Sequence, residues 1–223
     1  MRKTSRIAFI GAGNLARSLV AGLLRHGHTP SAIAATARSA DKRARLAAEF
    51  GIAVDADNRA AAAGADILVL SVKPQQLAGV CSELAGLDLS ATLVVSVAAG
   101  ATTDGIAAHL GQRTAMVRAM PNTPSSLGLG ATGLYATAEV SDVQKTEAQA
   151  IFAAVGATIW LADEGLMDAV TAVAGCGPAY YFAFMEAMQA AAEALGLPPE
   201  AARLLVKQTA LGATSLAMHS DQP

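Results

Sequence analysis

A short apolar segment that runs into two glycines constrains this sequence more than any other feature. Ile7–Ile10 is apolar throughout, and Gly11-Ala12-Gly13 follows it. The apolar spacing of a helix begins directly afterwards, with Leu15, Leu19, Val20 and Leu23. A strand that enters a helix through two glycines leaves backbone N–H groups free at the helix N-terminus, where they bind a pyrophosphate. Because Ala16 supplies the third small residue of this motif, we predict a dinucleotide-binding site here.

The composition excludes several classes of function. Of the 223 residues, 53% are hydrophobic and 15% are charged, with a net charge of −2 and no basic run. A nucleic-acid partner is therefore not expected. The sequence contains no uninterrupted apolar span of about 20 residues, so a membrane helix is not expected either. Cys81 and Cys176 lie far apart, which favours a reduced, cytoplasmic setting. The four histidines show no metal-ligand spacing, and no metal is expected.

Strands and helices are predicted to alternate over most of the chain. After Ile7–Ile10, apolar segments predict strands at residues 33–37, 52–54, 66–72, 92–97, 114–120, 131–136 and 157–161. Near residue 161 the alternation stops, and helices are expected at 164–174, 179–195 and 200–219. These helices are apolar around much of their circumference, which indicates burial against a second copy. We predict an α/β fold, with a Rossmann-like dinucleotide-binding domain over residues 1–162 and an all-helical dimerisation domain over 163–223.

The end of the second predicted strand indicates which dinucleotide binds. An NAD-binding fold usually places a carboxylate there for the ribose 2′-hydroxyl, whereas this sequence has Thr36, Arg38 and Ser39. An arginine and two hydroxyls suit a 2′-phosphate, so NADP(H) is the expected cofactor and NAD(H) the alternative. The other interpretation of Arg38 is a solvated loop charge.

Three later loops are predicted to lie at the ligand edge of the sheet, beyond the carboxyl ends of the strands. Pro74 suits the first position of a helix, but Lys73 is a poor cap and its charge opposes the helix dipole. A ligand near Lys73 is one explanation, and an exposed loop lysine is the other. Residues 98–100 are small enough for a cofactor to approach, and the prolines at both ends of residues 121–124 stiffen that loop.

Taken together, these segments resemble pyrroline-5-carboxylate reductase. The matching stretches are Phe-Ile-Gly-Ala-Gly-Asn-Leu-Ala from Phe9, Ser-Val-Lys-Pro-Gln from Ser71, Ser-Val-Ala-Ala-Gly from Ser96, Met-Pro-Asn-Thr-Pro from Met120, Met-Asp-Ala-Val-Thr from Met167 and Gly-Cys-Gly-Pro-Ala-Tyr from Gly175. They occur in the order of that family and span nearly the whole chain. The first motif alone is unspecific, whereas the set is highly specific.

The resemblance implies a role for each matching position. The pyrophosphate would be held by Ile10, Gly11, Ala12, Gly13, Asn14 and Leu15. The 2′-phosphate would meet Thr36, Arg38 and Ser39, and the adenosine ribose would meet Asn58. The rest of the cofactor, including its nicotinamide half, would lie along Ser71, Val72, Lys73, Pro74, Val97, Ala98, Ala99 and Asn122. The substrate pocket would be bordered by Glu164, Gly175, Cys176, Gly177 and Pro178.

The implied reaction transfers a hydride from NADPH to 1-pyrroline-5-carboxylate and gives L-proline, in a homodimer or a larger ring.

Two features depart from the family. Ala174 and Cys176 replace two serines of the glycine turn, so Cys176 is either a pocket-lining thiol or, as we favour, a small packed residue. The sequence also ends before the Ser-Pro-Gly-Gly-Thr-Thr-like loop of the family, which predicts a truncated substrate site.

Two alternative functions follow. One is a homologue that binds the cofactor but is catalytically impaired, because the C-terminal loop is missing. The other is a 3-hydroxyacid dehydrogenase relative, an enzyme that needs a lysine shortly after the second glycine turn. Residues 177–182 contain no lysine, which argues against the second alternative.

Overall fold

The computed structural model describes residues 5–220, which form two compact units, one ending at Gly175 and the other beginning at Cys176. The first unit is built on an eight-stranded sheet. Its strands are β1 (Ile7–Ile10), β2 (Ile33–Thr36), β3 (Ala53–Asp55), β4 (Ile67–Leu70), β5 (Leu93–Ser96), β6 (Met116–Met120), β7 (Gly130–Ala136) and β8 (Gly156–Trp160). Its α-helices are α1 (Asn14–Arg25), α2 (Ala40–Phe50), α3 (Asn58–Ala62), α4 (Pro74–Leu84), α5 (Thr103–Leu110), α6 (Asp142–Ala153) and α7 (Met167–Val170).

The strand order is β3-β2-β1-β4-β5-β6-β7-β8. The first six strands of this order are parallel, β7 is antiparallel to β6, and β8 is parallel to β7. From β1 the chain builds one half of the sheet outward through β2 and β3, and it then returns to the centre with β4. The carboxyl ends of β1 and β4 therefore flank the point where the order reverses, which is where open α/β sheets bind their ligands.

Both faces of the sheet are covered, which explains why its central strands are apolar without alternation. On one face, Phe9 and Val69 pack with apolar residues of α1 and α6, such as Leu19 and Phe152. On the other face, Ile10, Leu68 and Leu70 pack with residues of α4 and α5. The prediction of a Rossmann-like α/β domain is confirmed.

Several boundaries differ from the sequence-based prediction. The third strand was predicted at 52–54 and lies at Ala53–Asp55, because its pairing with β2 begins at Ala53 and includes Asp55. The single helix predicted at 164–174 is three elements: a 3₁₀ turn at Glu164–Leu166, α7, and a π-helical turn at Thr171–Gly175. The loop predicted at 121–124 continues into a 3₁₀ helix at Thr123–Leu127.

The second unit consists of α8 (Gly177–Ala194) and α9 (Pro199–His219), which pack against each other. Within one chain many large apolar side chains of this unit are exposed, including Tyr181, Phe182, Phe184, Leu204, Leu205, Leu211 and Leu216. In residues 5–220, no helix is long and apolar enough to cross a membrane. The prediction of a truncated substrate site concerns the C-terminal end of the sequence. Residues 221–223 lie outside the described residues.

Candidate functional site

The glycine turn after β1 is held from both neighbouring strands. On the β2 side, the Gly11 N–H donates to Thr36 Oγ1 at 2.9 Å, and the Ala12 N–H donates to the Thr36 carbonyl at 2.7 Å. On the β4 side, Ser71 Oγ donates to the Gly11 and Ile10 carbonyls at 2.8 and 3.1 Å. The turn is therefore fixed before any ligand binds.

Gly11 and Gly13 are needed for different reasons. Gly11 has a φ of +90°, and a Cβ built there would lie 2.5 Å from Val72 Cγ1. Gly13 has an ordinary φ of −75°, and the nearest heavy atom to its Cβ position is the Ser71 carbonyl oxygen at 4.0 Å. Thus Gly11 is required by the protein itself, whereas Gly13 leaves space at the start of α1.

The N-terminus of α1 is suited to an anion. No side chain among residues 5–220 caps this end of the helix, so the first N–H groups, including those of Asn14 and Leu15, need an external acceptor. The helix dipole also favours negative charge there. Ile10 and Ala12 are buried and contribute backbone only. This donor set fits the pyrophosphate of a dinucleotide.

The loop after β2 presents a cation. Arg38 is exposed and forms no ion pair with any residue that the structure describes. Ser39 is the N-cap of α2 and accepts a hydrogen bond from the Lys42 N–H at 3.5 Å. Thr36 is only 3% exposed and its hydroxyl is used by Gly11, so it supports the turn from inside. Asn58, at the start of α3, donates from its side chain to Glu83 Oε2 at 2.9 Å.

Two further loops lie at the carboxyl ends of β4 and β5. Lys73 is the N-cap residue of α4 and is exposed, and Pro74 occupies the first helical position, as predicted. After β5, Val97 is half-buried, Ala98 is buried and Ala99 is exposed. The Ala98 N–H donates to Ser96 Oγ at 3.3 Å, which fixes the start of this loop.

A cleft of about 820 Å³ opens beside the start of α1. Asn14, Leu15, Arg17 and Ser18 line it on the α1 side, and residues of the 120–126 segment together with Gly175 line it on the other. Its rim carries Arg17, whose pKa is raised because Glu49 accepts its hydrogen bonds.

Asn122 braces the loop that lines this cleft. Its side-chain nitrogen donates to the Ala174 carbonyl at 3.0 Å, and its side-chain oxygen accepts from the Ala131 N–H at 2.9 Å. The asparagine thus ties the loop after β6 to β7 and to the π-helical turn that ends at Gly175.

Glu164 lies at the centre of a hydrogen-bonded group. Its Oε1 accepts from the Thr103 N–H at 2.8 Å and from Arg118 Nη1 at 3.2 Å, and its Oε2 accepts from Thr103 Oγ1 at 2.8 Å. Thr103 begins α5, directly after the loop that follows β5. The carboxylate therefore holds the end of that loop.

Comparisons with known proteins identify the family of this chain. Residues 6–100 match the family model described as NADP oxidoreductase coenzyme F420-dependent, and residues 164–223 match the pyrroline-5-carboxylate reductase dimerisation model. A pyrroline-5-carboxylate reductase of Pseudomonas aeruginosa is 50% identical over 218 residues, which are 98% of this chain and 80% of the relative. The chain belongs to the pyrroline-5-carboxylate reductase family.

Two solved structures of the family are also similar. The reductase of Coxiella burnetii has a TM-score of 0.94 at 47% identity, with 99% of this chain and 82% of that chain covered. The reductase of Plasmodium falciparum, solved with NADP bound, has a TM-score of 0.85 at 27% identity, with 98% and 80% covered. The resemblance found in the sequence motifs is confirmed.

Three residues that contact the predicted site residues were not found from the sequence. Arg118 and Thr103 hold Glu164, and Arg43 donates to the carbonyls of the loop after β2. A signal existed for Arg118, because a charged residue within an apolar strand needs a partner. For the other two the sequence carries no comparable signal.

The remaining predicted site residues begin the second unit. Cys176 is exposed, Gly177 is buried, and Pro178 is in the first turn of α8. Cys176 is the N-cap residue of α8, and its packing, expected from the sequence, stays a prediction that concerns the assembled protein. In the described part of the chain, no three His, Cys, Asp or Glu residues cluster as metal ligands would.

Proposed function

We propose that this chain binds NADPH and reduces 1-pyrroline-5-carboxylate to L-proline. The observation that carries the proposal is the uncapped N-terminus of α1, fixed by Thr36 and Ser71 at the point where the strand order reverses. Membership of the pyrroline-5-carboxylate reductase family supports the reaction, and the NADP-bound relative supports the cofactor.

Each half of the cofactor has a matching set of residues. Backbone groups of residues 10–15 hold the pyrophosphate, and Arg38 with Ser39 meets the 2′-phosphate. Asn58 lies on the ribose side, where its amide already donates to Glu83. Lys73 and residues 97–99 border the nicotinamide half, at the ends of β4 and β5. When bound, NADPH supplies the hydride, and the protein supplies position and electrostatics.

The substrate requires little acid–base chemistry, because a protonated cyclic imine is already electrophilic. A carboxylate has about four acceptor positions, and the protein uses two on Glu164 Oε1 and one on Oε2. One position on Oε2 is therefore left for the N–H of the protonated imine. Gly175 borders the cleft, and a Cβ there would lie 2.7 Å from Met120 Cε. The roles of Cys176, Gly177 and Pro178 stay predictions from the resemblance.

The proposed partner is a second copy of the chain. Residues 164–223 match the dimerisation model of the family, and the exposed apolar side chains of α8 and α9 provide an interface. We propose a homodimer, with assembly into a larger ring and a cytoplasmic location as further expectations. Nucleic-acid partners are not part of this proposal.

The test is turnover by the purified chain. NADPH oxidation that depends on 1-pyrroline-5-carboxylate, with L-proline as the product, is expected. NADH in place of NADPH should support slower turnover at equal concentration. If NADPH binds but is not oxidised in the presence of the imine, the proposed activity is wrong.

A further inference from the structure

Arg43 is held against the loop that the cofactor adenosine is proposed to meet. It lies in the first turn of α2, and its Nη1 donates to the carbonyls of Ala37 at 3.0 Å and Arg38 at 2.8 Å. Both carbonyls belong to the segment between β2 and the Ser39 cap of α2. One nitrogen of Arg43 therefore fixes the backbone from which the Arg38 side chain extends.

Most of the hydrogen-bonding capacity of Arg43 remains unused. A guanidinium carries five N–H donors, and the two on Nη1 are satisfied by the two carbonyls. The three donors on Nε and Nη2 have no acceptor within residues 5–220. The residue is half-buried and its Nη1 is anchored by two carbonyls, so the guanidinium is partly ordered before a ligand binds.

The charges around Arg43 favour an added anion. Arg38, Lys42 and Arg43 lie together at the N-terminus of α2, where the helix dipole disfavours positive charge. Asp41 is their neighbour in the sequence, and Asp55 lies close enough to feel the charge of Arg43. Asp55 is already used by its own turn, because its Oδ1 accepts from the N–H groups of residues 56 and 57 at 2.6 and 3.1 Å. The pKa of Asp55 is lowered by these hydrogen bonds and, to a smaller extent, by Arg43.

We propose that Arg43 is a second guanidinium of the 2′-phosphate site and a determinant of NADPH specificity. Its Nη1 holds the Arg38 backbone in place, and its unused N–H groups donate to the phosphate. A phosphate group carries a charge of about −1.5 to −2 at neutral pH, which balances the cations at this helix end. The inference rests on the proposed function, because it requires the adenosine half of NADPH to lie beside β2.

The test compares ligands that differ in the 2′-phosphate. Titration calorimetry of Arg43→Met should show binding of NADPH and of 2′,5′-ADP weakened by about tenfold or more, and binding of NADH weakened by less than about threefold. Arg45→Met is the matched control, since Arg45 is exposed on the same helix and its Nε reaches only the Asp41 carbonyl at 3.4 Å. That variant should bind all three ligands within about twofold of the parent.

Arg43→Lys separates a specific contact from a loss of folding, because it keeps the charge and the length of the side chain but not the fork of donors. It should fold and should bind NADPH about three- to tenfold more weakly than the parent, with NADH binding unchanged. Equal weakening of NADPH and NADH in both variants, or no change in either, overturns the inference. A parent chain that binds neither dinucleotide contradicts the proposed function instead.

Discussion

Arg118 Nη1 lies 3.2 Å from Glu164 Oε1, and this ion pair joins strand β6 to the segment that follows β8. The side chains are 7% and 21% exposed, respectively, so water screens the pair poorly. The same carboxylate caps α5 through Thr103. The pair therefore links β6, α5 and the segment after β8. Removal of one partner would leave the charge of the other buried.

The first prediction concerns the stability of this pair. Glu164→Gln should lower the free energy of unfolding by about 3–5 kcal/mol, because Arg118 would lose its counter-charge while remaining buried. Asp104→Asn is the control, since the Arg113–Asp104 pair has a similar distance of 3.3 Å but side chains that are 77% and 83% exposed. The control should change stability by less than about 1 kcal/mol. Urea unfolding measures the stability of both variants, and an equal loss in the two would contradict this account.

Local patterns predicted the strands and the glycine turn, because burial on both faces makes a parallel strand apolar throughout. The capping box of α6, in which Ser141 Oγ accepts from the Gln144 N–H, is also a local pattern of this kind. Contacts between distant segments were not predictable in the same way. Asn122 bonds Ala174 across 52 residues of sequence, and no local pattern specifies such a partner.

The same distinction between local patterns and distant contacts applies to the candidate site residues. Arg38 was proposed from its position after β2. The contact of Arg43 with the Arg38 carbonyl depends on the direction in which α2 continues from the loop. The resemblance implies that the hydroxyl of Thr36 meets the phosphate. In the structure its Oγ1 accepts from the Gly11 N–H, and its contact with a phosphate stays a prediction.

A second prediction separates the roles of the two glycines. Gly13→Ala should fold with a loss of at most about 1 kcal/mol, because its φ of −75° suits alanine and 4.0 Å separates the new Cβ from the Ser71 carbonyl. It should nevertheless weaken NADPH binding by about tenfold or more, since the methyl group occupies the approach of the pyrophosphate. Gly11→Ala should instead destabilise the fold itself, because φ is +90° and Val72 is 2.5 Å away. Unchanged NADPH affinity in Gly13→Ala would show that the pyrophosphate lies elsewhere.

A third prediction follows from the buried thiol of Cys81. Burial raises its pKa from the ordinary 9.0 to about 11. Above pH 9 the unfolded chain therefore releases this proton before the folded chain does, and stability falls as the pH rises from about 9 to 11. Below pH 9 the thiol is protonated in both states and contributes no pH dependence.

Urea unfolding across this pH range checks the effect of Cys81. Cys81→Ala is the control, because it removes the titrating group, and its curve of stability against pH should be flatter than that of the parent above pH 9. The absolute stability of the variant will be lower because of the lost packing, so the slopes are compared. Identical slopes would show that the Cys81 thiol does not cause the loss of stability above pH 9.

The last prediction concerns the surface of α8 and α9. Met188 is half-buried on α8, near Phe184 and other exposed apolar residues of the same unit. Burial of this surface against a second copy contributes roughly 25 cal/mol per Å² before the costs of association. Met188→Asp places a charge in that surface, so the dimer should dissociate or the protein should aggregate.

Val143→Asp is the matched control for Met188→Asp, because Val143 is 69% exposed on α6, outside the residues that match the dimerisation model. Light scattering coupled to size exclusion at micromolar concentration should show a dimer or larger assembly for the parent and for Val143→Asp. It should show monomer or aggregate for Met188→Asp. A parent chain that is monomeric and well behaved under these conditions would contradict the assignment of α8 and α9 as the interface, and so would a Met188→Asp variant that keeps the mass of the parent.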